Sequence, residues 1–344
     1  MIKPDHPIES AMDGPPMEHV LLERAREIVR TCMDIRRGEN VLIICDLSTA
    51  DIGHALHEAA LECSERVLTM TMPCGDHHGQ EPPTPVASLM RQQQVIIAPT
   101  LRSLTHTRAA RSAIREGARI ATMPGVTEDI FLEGGLSTDF AELKATIASV
   151  GHRLRRKRMV HVTTPSGTGL RFEVAWKDWN LDDHGICNRP RMITNLPAGK
   201  IFTMPREGTM DGRIVLDGSW DASLISDHVV MSVESGRVTR IEGGDLSDLI
   251  RADYEAAASR LDERLKPWVW TVSEFGFGLN PHARLVGNVL EDEKCLGTCY
   301  IAIGDNTRLG GSAAVGISNS GVMRQPTVRV DDVEILIDGV RVNP

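Results

Sequence analysis

Twelve histidines and seven cysteines are the side chains of this 344-residue chain best suited to acid–base, metal or nucleophilic chemistry near neutral pH. His106 stands in the string Leu104-Thr105-His106-Thr107, where a short apolar run gives way to a helical pattern, so its imidazole is a candidate acid or base at a strand's carboxyl end. Arg108 carries a fixed cation two residues on, suited to a substrate carboxylate. Asp183-His184 and the Asn280-Pro281-His282 string are further candidates to line a pocket, through His184, Asn280 and His282. His77-His78 with Asp76 lie in a Gly-flanked stretch and read as a polar turn rather than a metal site. The cysteines are scattered. Only Cys295 and Cys299 are close, and with no second pair at zinc spacing they make no zinc knuckle; the set reads as reduced thiols.

These residues need elements to hold them. Leu21, Ala25, Ile28 and Cys32 recur at helical spacing before Gly38, and Asn40 to Cys45 forms a short apolar run typical of a buried parallel strand. The alternation then continues: helix 51–65, strand 67–72, helix 86–93, strand 95–98, helix 106–116 and strand 118–122. Strand and helix units of this length predict an α/β doubly wound, mostly parallel sheet, with ligands collecting beyond the carboxyl ends of its strands. No GxGxxG opens the first helix, which disfavours a dinucleotide site. After an amphipathic segment over 139–154 and a basic run from Arg153 to Arg158, read as a helix end feeding a linker, short β-rich runs dominate, with one helix expected over 246–265. The expected organisation is therefore a doubly wound α/β domain over 1–157 and a C-terminal, mostly antiparallel α+β domain over 158–344.

A hydrophobic fraction of 41% and a charged fraction of 25% are those of a globular protein, and the length suits two cores. The formal charge of −9 argues against nucleic acid or an anionic membrane as partner. The N-terminal stretch through Pro15-Pro16 has no apolar leader and no segment reaches membrane-spanning length, so a cytoplasmic location is expected.

Several exact strings then occur in order: LTHT at 104–107, MPG at 123–125, NLPAG at 195–199, EGT at 207–209, FGLNP at 277–281, DEK at 292–294, IAIGDN at 301–306 and Gly310-Gly311. Together, from about residue 18 to 340, they resemble the thermophilic metallo-aminopeptidase (aminopeptidase T/S) family and its relative, 2,5-dihydroxypyridine 5,6-dioxygenase. The resemblance implies a site in the second domain. Its five metal-ligand positions fall on Lys200, Glu274, Tyr300, Ser318 and Ser320, of which Glu274 alone retains a metal-binding type. In the dioxygenase branch a histidine at the position of Glu274 and an HxD pair at 318–320 hold the iron, so that set is missing as well. The branch also implies that His106 faces the substrate as an acid/base group. No metal and no cofactor are expected.

On this reading Lys200, Glu274, Tyr300, Ser318 and Ser320 converge on one pocket suited to an anionic or carbonyl-bearing small molecule. In one version Lys200, its pKa lowered by burial, deprotonates Ser318 or Ser320 for attack on a carbonyl, with Tyr300 as proton donor or oxyanion partner. In the other, the positions have relaxed into a Lys–Glu pair with hydrogen-bonded hydroxyls. The expected function is a metal-independent hydrolase of a small amide, imide or lactone. The alternatives are an iron-dependent dihydroxypyridine-type ring-cleaving dioxygenase, a leucyl-type aminopeptidase, or a non-catalytic ligand-binding homologue. A homo-oligomer is implied by the resemblance.

Overall fold

A computed structural model of the chain describes residues 17–343; the N-terminal stretch read for a leader, with Pro15-Pro16, lies outside them. Helix α1 (Met17–Glu27) buries Leu21 and Ala25 and runs on through a wider turn over Ile28–Cys32. Strands and helices then alternate: β1 (Val41–Cys45), α2 (Ala50–Leu61), β2 (Val67–Thr71), α3 (Thr84–Met90), β3 (Val95–Ala98), α4 (Arg108–Glu116), β4 (Arg119–Thr122), α5 (Glu128–Glu133) and α6 (Phe140–Arg153). Every residue of β1, β3 and β4 is buried, as central parallel strands covered on both faces must be. Thr107 caps α4 by accepting from Ala110 N, and Gly117 ends it in the left-handed region.

The remainder is dominated by strands: β5 (Met159–Thr163), β6 (Gly169–Glu173), β7 (Ile193–Asn195), β8 (Lys200–Thr203), β9 (Asp211–Leu216), β10 (Ser219–Trp220), β11 (Ser223–Leu224), β12 (Val229–Glu234) and β13 (Arg237–Glu242). There follow α7 (Asp245–Ser259), β14 (Val272–Gly278), α8 (Val289–Asp292), β15 (Thr298–Gly304), β16 (Ser318–Arg324), β17 (Thr327–Val330), β18 (Val333–Ile337) and β19 (Val340–Arg341). Three sheets result: a parallel one ordered β2-β1-β3-β4-β7, and two antiparallel ones ordered β11-β10-β16-β15-β14-β8 and β13-β12-β9-β6-β5-β17-β18-β19.

The change from alternating to β-rich chain falls between α6 and β5. Yet β7, well beyond that point, pairs in parallel with β4 and completes the first sheet, with Thr122 in register with Asn195. Helix α7 stops at Ser259, short of the expected Leu265. The two antiparallel sheets share an aromatic core in which Phe172 of β6 meets Phe275 of β14 edge-on at 5.1 Å. Tyr254 of α7 stacks on Trp270 at 4.8 Å and donates to Ile303 O at 2.8 Å. All seven cysteines are free; Cys32, Cys45, Cys187 and Cys299 are buried, and burial pushes the Cys187 thiol up to about 12.

Candidate functional site

The link from β7 to β8 carries the chain from the parallel sheet into the six-stranded one, and the site forms around it. Asp183 Oδ2 accepts from Gly199 N at 3.3 Å and Lys200 N at 3.1 Å, fixing the first residue of β8. Asn280 Nδ2 donates to Ala198 O and to Gly135 O, both at 2.8 Å, so one buried amide ties this turn to the first half of the chain. Gly199 sits at φ +123°, and a Cβ there would lie 2.7 Å from Asn280 Cβ; no other residue fits between them.

Alternation along β14 sends Phe275 and Phe277 into the aromatic core and Glu274, Gly276 and Gly278 to the other face. Gly276 is in register with Tyr300, and a Cβ there would come within 2.5 Å of the tyrosine ring. The glycine is therefore what lets that ring lie across the strand and donate its hydroxyl to Glu274 Oε1. Lys200 Nζ donates to the same oxygen at 3.2 Å and to Glu293 Oε2 at 2.7 Å, while Arg308 Nη2 donates to Glu274 Oε2 at 2.8 Å. Lys294 Nζ stands 3.5 Å from Glu293, whose carboxylate also takes a hydrogen bond from Ser320.

The electrostatics follow from this geometry. Burial alone would raise Glu274 and Glu293; Lys200 with Arg308 in one case, and Lys200 with Lys294 in the other, outweigh it and hold both carboxylates below their ordinary range. Burial pulls Lys200 down, but Glu274 and Glu293 more than reverse this and raise its pKa, so the ammonium stays charged. Burial and the neighbouring Glu274 push the Tyr300 phenol well above its ordinary value.

These groups open onto a cavity of about 290 Å³ lined by Lys200, Glu274, Phe202 and Arg308 on one side and by Thr105, His106, Asn195 and Asp183 on the other. His106 stands at the mouth just before α4. Burial lowers its pKa, Arg308 and Arg111 add to this, and Glu274 opposes it, leaving the imidazole neutral at pH 7. Arg308 is held by a braced loop. Asn306 Oδ1 accepts from Ala313 N at 2.7 Å, Asn306 Nδ2 donates to Glu207 at 2.9 Å, and Glu207 also accepts from Ser312 N at 2.7 Å. The EGT, GDN and GG strings thus form one truss. A larger groove of about 720 Å³, lined by Arg158, Trp176 and Arg206 among others, contains none of the charged cluster.

Of the residues singled out in the sequence, Lys200, Glu274 and Tyr300 touch one another, and His106 faces them across the cavity. Ser320 reaches the cluster through Glu293, whereas Ser318 is exposed at the end of β16 and lines nothing here. The Lys200-base reading is corrected: its pKa is raised, and its hydrogen-bond partners are two carboxylates rather than a serine. None of the four proposed substrate-binding residues lines the cavity. Arg108 is exposed and pairs with Glu81 at 3.4 Å, His184 accepts from Ile186 N at 3.2 Å, Asn280 is a buried strut, and His282 is exposed. Glu293, Arg308 and Asn195 were not proposed, whereas Asp183, named with His184 as a pocket-lining candidate, does line the cavity. Glu293 and Asn195 lay within the DEK and NLPAG strings, but nothing local distinguishes a residue whose partners lie about 90 positions away.

The iron that the resemblance implies does not fit these residues. Glu274 already accepts from Lys200, Tyr300 and Arg308, the Lys200 ammonium stands between Glu274 and Glu293, and Ser318 and Ser320 offer only neutral hydroxyls. Among the described residues no group of three or more His, Cys, Asp or Glu is placed to hold a metal ion.

Fold and site together define a mixed α/β protein on an aminopeptidase-like scaffold with a charged cleft beside its parallel sheet. The structure aligns with that of 2,5-dihydroxypyridine dioxygenase from Pseudomonas putida KT2440 at a TM-score of 0.80 and 18% identity, covering 96% of this chain and 99% of that one. It aligns with wild-type AmpT from Thermus thermophilus at 0.67 and 15% identity, covering 95% and 100%. A family profile described as 2,5-dihydroxypyridine 5,6-dioxygenase matches residues 21–343, and the chain belongs to that family. A relative described in the same words, from Pseudomonas putida KT2440, is 24% identical over 293 residues, which is 80% of this chain and 78% of the relative. The hydrolase expectation is thereby overturned: the family and this relative are described as 2,5-dihydroxypyridine 5,6-dioxygenases, which favours the dioxygenase held above as an alternative. Among the described residues no helix is long and apolar enough to cross a membrane.

Proposed function

We propose that the cavity between His106 and the Lys200 cluster binds a dihydroxypyridine-class substrate and that the chain opens such a ring with dioxygen. The observation that carries this is the make-up of the cavity: Lys200 and Arg308, with the carboxylate Glu274 that pairs with both, face a neutral imidazole, His106, across a space of about 290 Å³. That size suits a single planar ring, and the family's description supplies the substrate class. His106, neutral at pH 7, accepts a proton from a ring hydroxyl, and the oxyanion so formed is stabilised by the Arg308 guanidinium and the free N–H of Lys200. Deprotonation moves electron density onto the ring carbons, the electronic condition under which a hydroxylated aromatic ring reacts with dioxygen.

The test is oxygen consumption with 2,5-dihydroxypyridine, followed together with loss of the ring's ultraviolet absorbance. Turnover is expected in the wild type, and His106→Gln should lower kcat by about 10²–10⁴-fold while leaving KM nearly unchanged. Absence of both binding and oxygen consumption contradicts the reading. Binding without consumption favours a non-catalytic ligand-binding role instead.

A further inference from the structure

Asn195 lines the cavity with its amide oxygen engaged by two threonines. Its Oδ1 accepts from Thr105 Oγ1 at 2.9 Å and from Thr122 Oγ1 at 2.7 Å, and the two threonine oxygens lie 2.7 Å apart. Ser103 Oγ in turn donates to Thr105 Oγ1 at 2.9 Å. Each hydroxyl has one proton to give. With Ser103 donating to Thr105, both threonine protons reach Asn195 Oδ1 and every hydroxyl is satisfied. In the structure Oδ1 faces the two threonines, so Nδ2 is turned away from them, and among the described residues it makes no hydrogen bond; Asn195 itself lines the cavity.

We infer that Asn195 is a specificity-determining residue: its outward N–H pair recognises an acceptor oxygen on the substrate ring, an oxo group or a deprotonated hydroxyl. The inference rests on the dihydroxypyridine reading and sharpens it. Lys200 and Arg308, each already paired with a carboxylate, favour an oxyanion without fixing its place on the ring, whereas the Asn195 amide selects for an oxygen at one place on the ring edge. A ring without that oxygen leaves the amide donors unmatched, and this loss discriminates between rings of equal size and charge.

The experiment is a ligand–protein cycle by anaerobic calorimetry, with 2,5-dihydroxypyridine, 2-hydroxypyridine and 3-hydroxypyridine titrated into wild type and Asn195→Asp. The aspartate keeps an acceptor for both threonines but has no N–H to offer. In the wild type, loss of the ring oxygen that faces Asn195 should weaken binding by about tenfold. In Asn195→Asp that discrimination should shrink below about threefold, while discrimination by the other monohydroxypyridine persists. Wild-type discrimination retained in Asn195→Asp overturns the role of Asn195 and leaves the substrate reading standing. No binding of any of the three to the wild type overturns both. Should Asn195→Asp fail to fold, Thr122→Val serves in its place. It removes one of the two hydroxyl donors to Oδ1, so a smaller loss of the same discrimination is expected, and unaltered discrimination overturns the inference.

Discussion

Lys200 decides the character of the cleft. Two buried carboxylates, Glu274 and Glu293, lie within 3.2 and 2.7 Å of its ammonium, and each remains ionised because that cation offsets the cost of its burial. Lys200→Met should therefore leave both carboxylates without their shared partner and destabilise the fold by about 3–5 kcal/mol, measured by urea unfolding at pH 7. A loss under about 1 kcal/mol would mean the pair contributes no more than a surface contact. His106 makes a kinetic statement at the same scale. Acting as a base it must be neutral, and its pKa is lowered from 6.5, so kcat/KM should rise with pH through a value below 6.5 and be level by pH 7. A profile still climbing above pH 7 would assign the base elsewhere. The convergence of Lys200, Glu274 and Tyr300 was legible because each lies within a few residues of a recognisable string. Arg308 was not, because its contribution depends on a loop braced by Glu207, 101 positions earlier.

At the scale of elements, the Gly134–Gly135 turn of the first half is gripped from the second half at both of its polar faces. Gly135 N donates to Glu291 Oε1 at 2.7 Å, and Gly135 O accepts from Asn280 Nδ2 at 2.8 Å. Glu291 is wholly buried and also accepts from Arg284 N at 3.0 Å, yet burial outweighs these bonds and pushes its pKa up to about 6 from 4.5. The native state thus binds this proton more tightly than the unfolded chain does. The associated stability is fully present below pH 4.5 and is lost as pH rises through about 6. Relative to Glu291→Gln, which has no such proton to lose, the wild type should weaken by about 2 kcal/mol between pH 4.5 and pH 7. Urea unfolding of both proteins at pH 4.5, 5.5 and 7 measures this; parallel curves would place the Glu291 pKa at its ordinary value. Nothing along the chain marks Glu291 for this, since its environment is made by a turn 156 residues away.

At the scale of the whole molecule, the alternation of short apolar runs with helical stretches sufficed to place the parallel sheet, because central strands must be apolar throughout and amphipathic helices must cover them. The sheet's fifth strand escaped notice. Three residues, Ile193 to Asn195, are too few to show a period, and only the fold brings them beside β4. In the proposed function that strand matters most, since it delivers Asn195 to the cavity and leads directly into Lys200. The family's scaffold is kept while the residues at its implied metal positions form a closed set of ion pairs and hydrogen bonds, and the proposed oxygenation rests on that set together with His106.

The measurement that bears most directly on this account is oxygen consumption by metal-stripped protein supplied with 2,5-dihydroxypyridine, before and after addition of ferrous iron. The account predicts consumption in the stripped protein at a rate that added iron leaves unchanged. Consumption that begins only when iron is restored, with iron retained at one per chain, would contradict it.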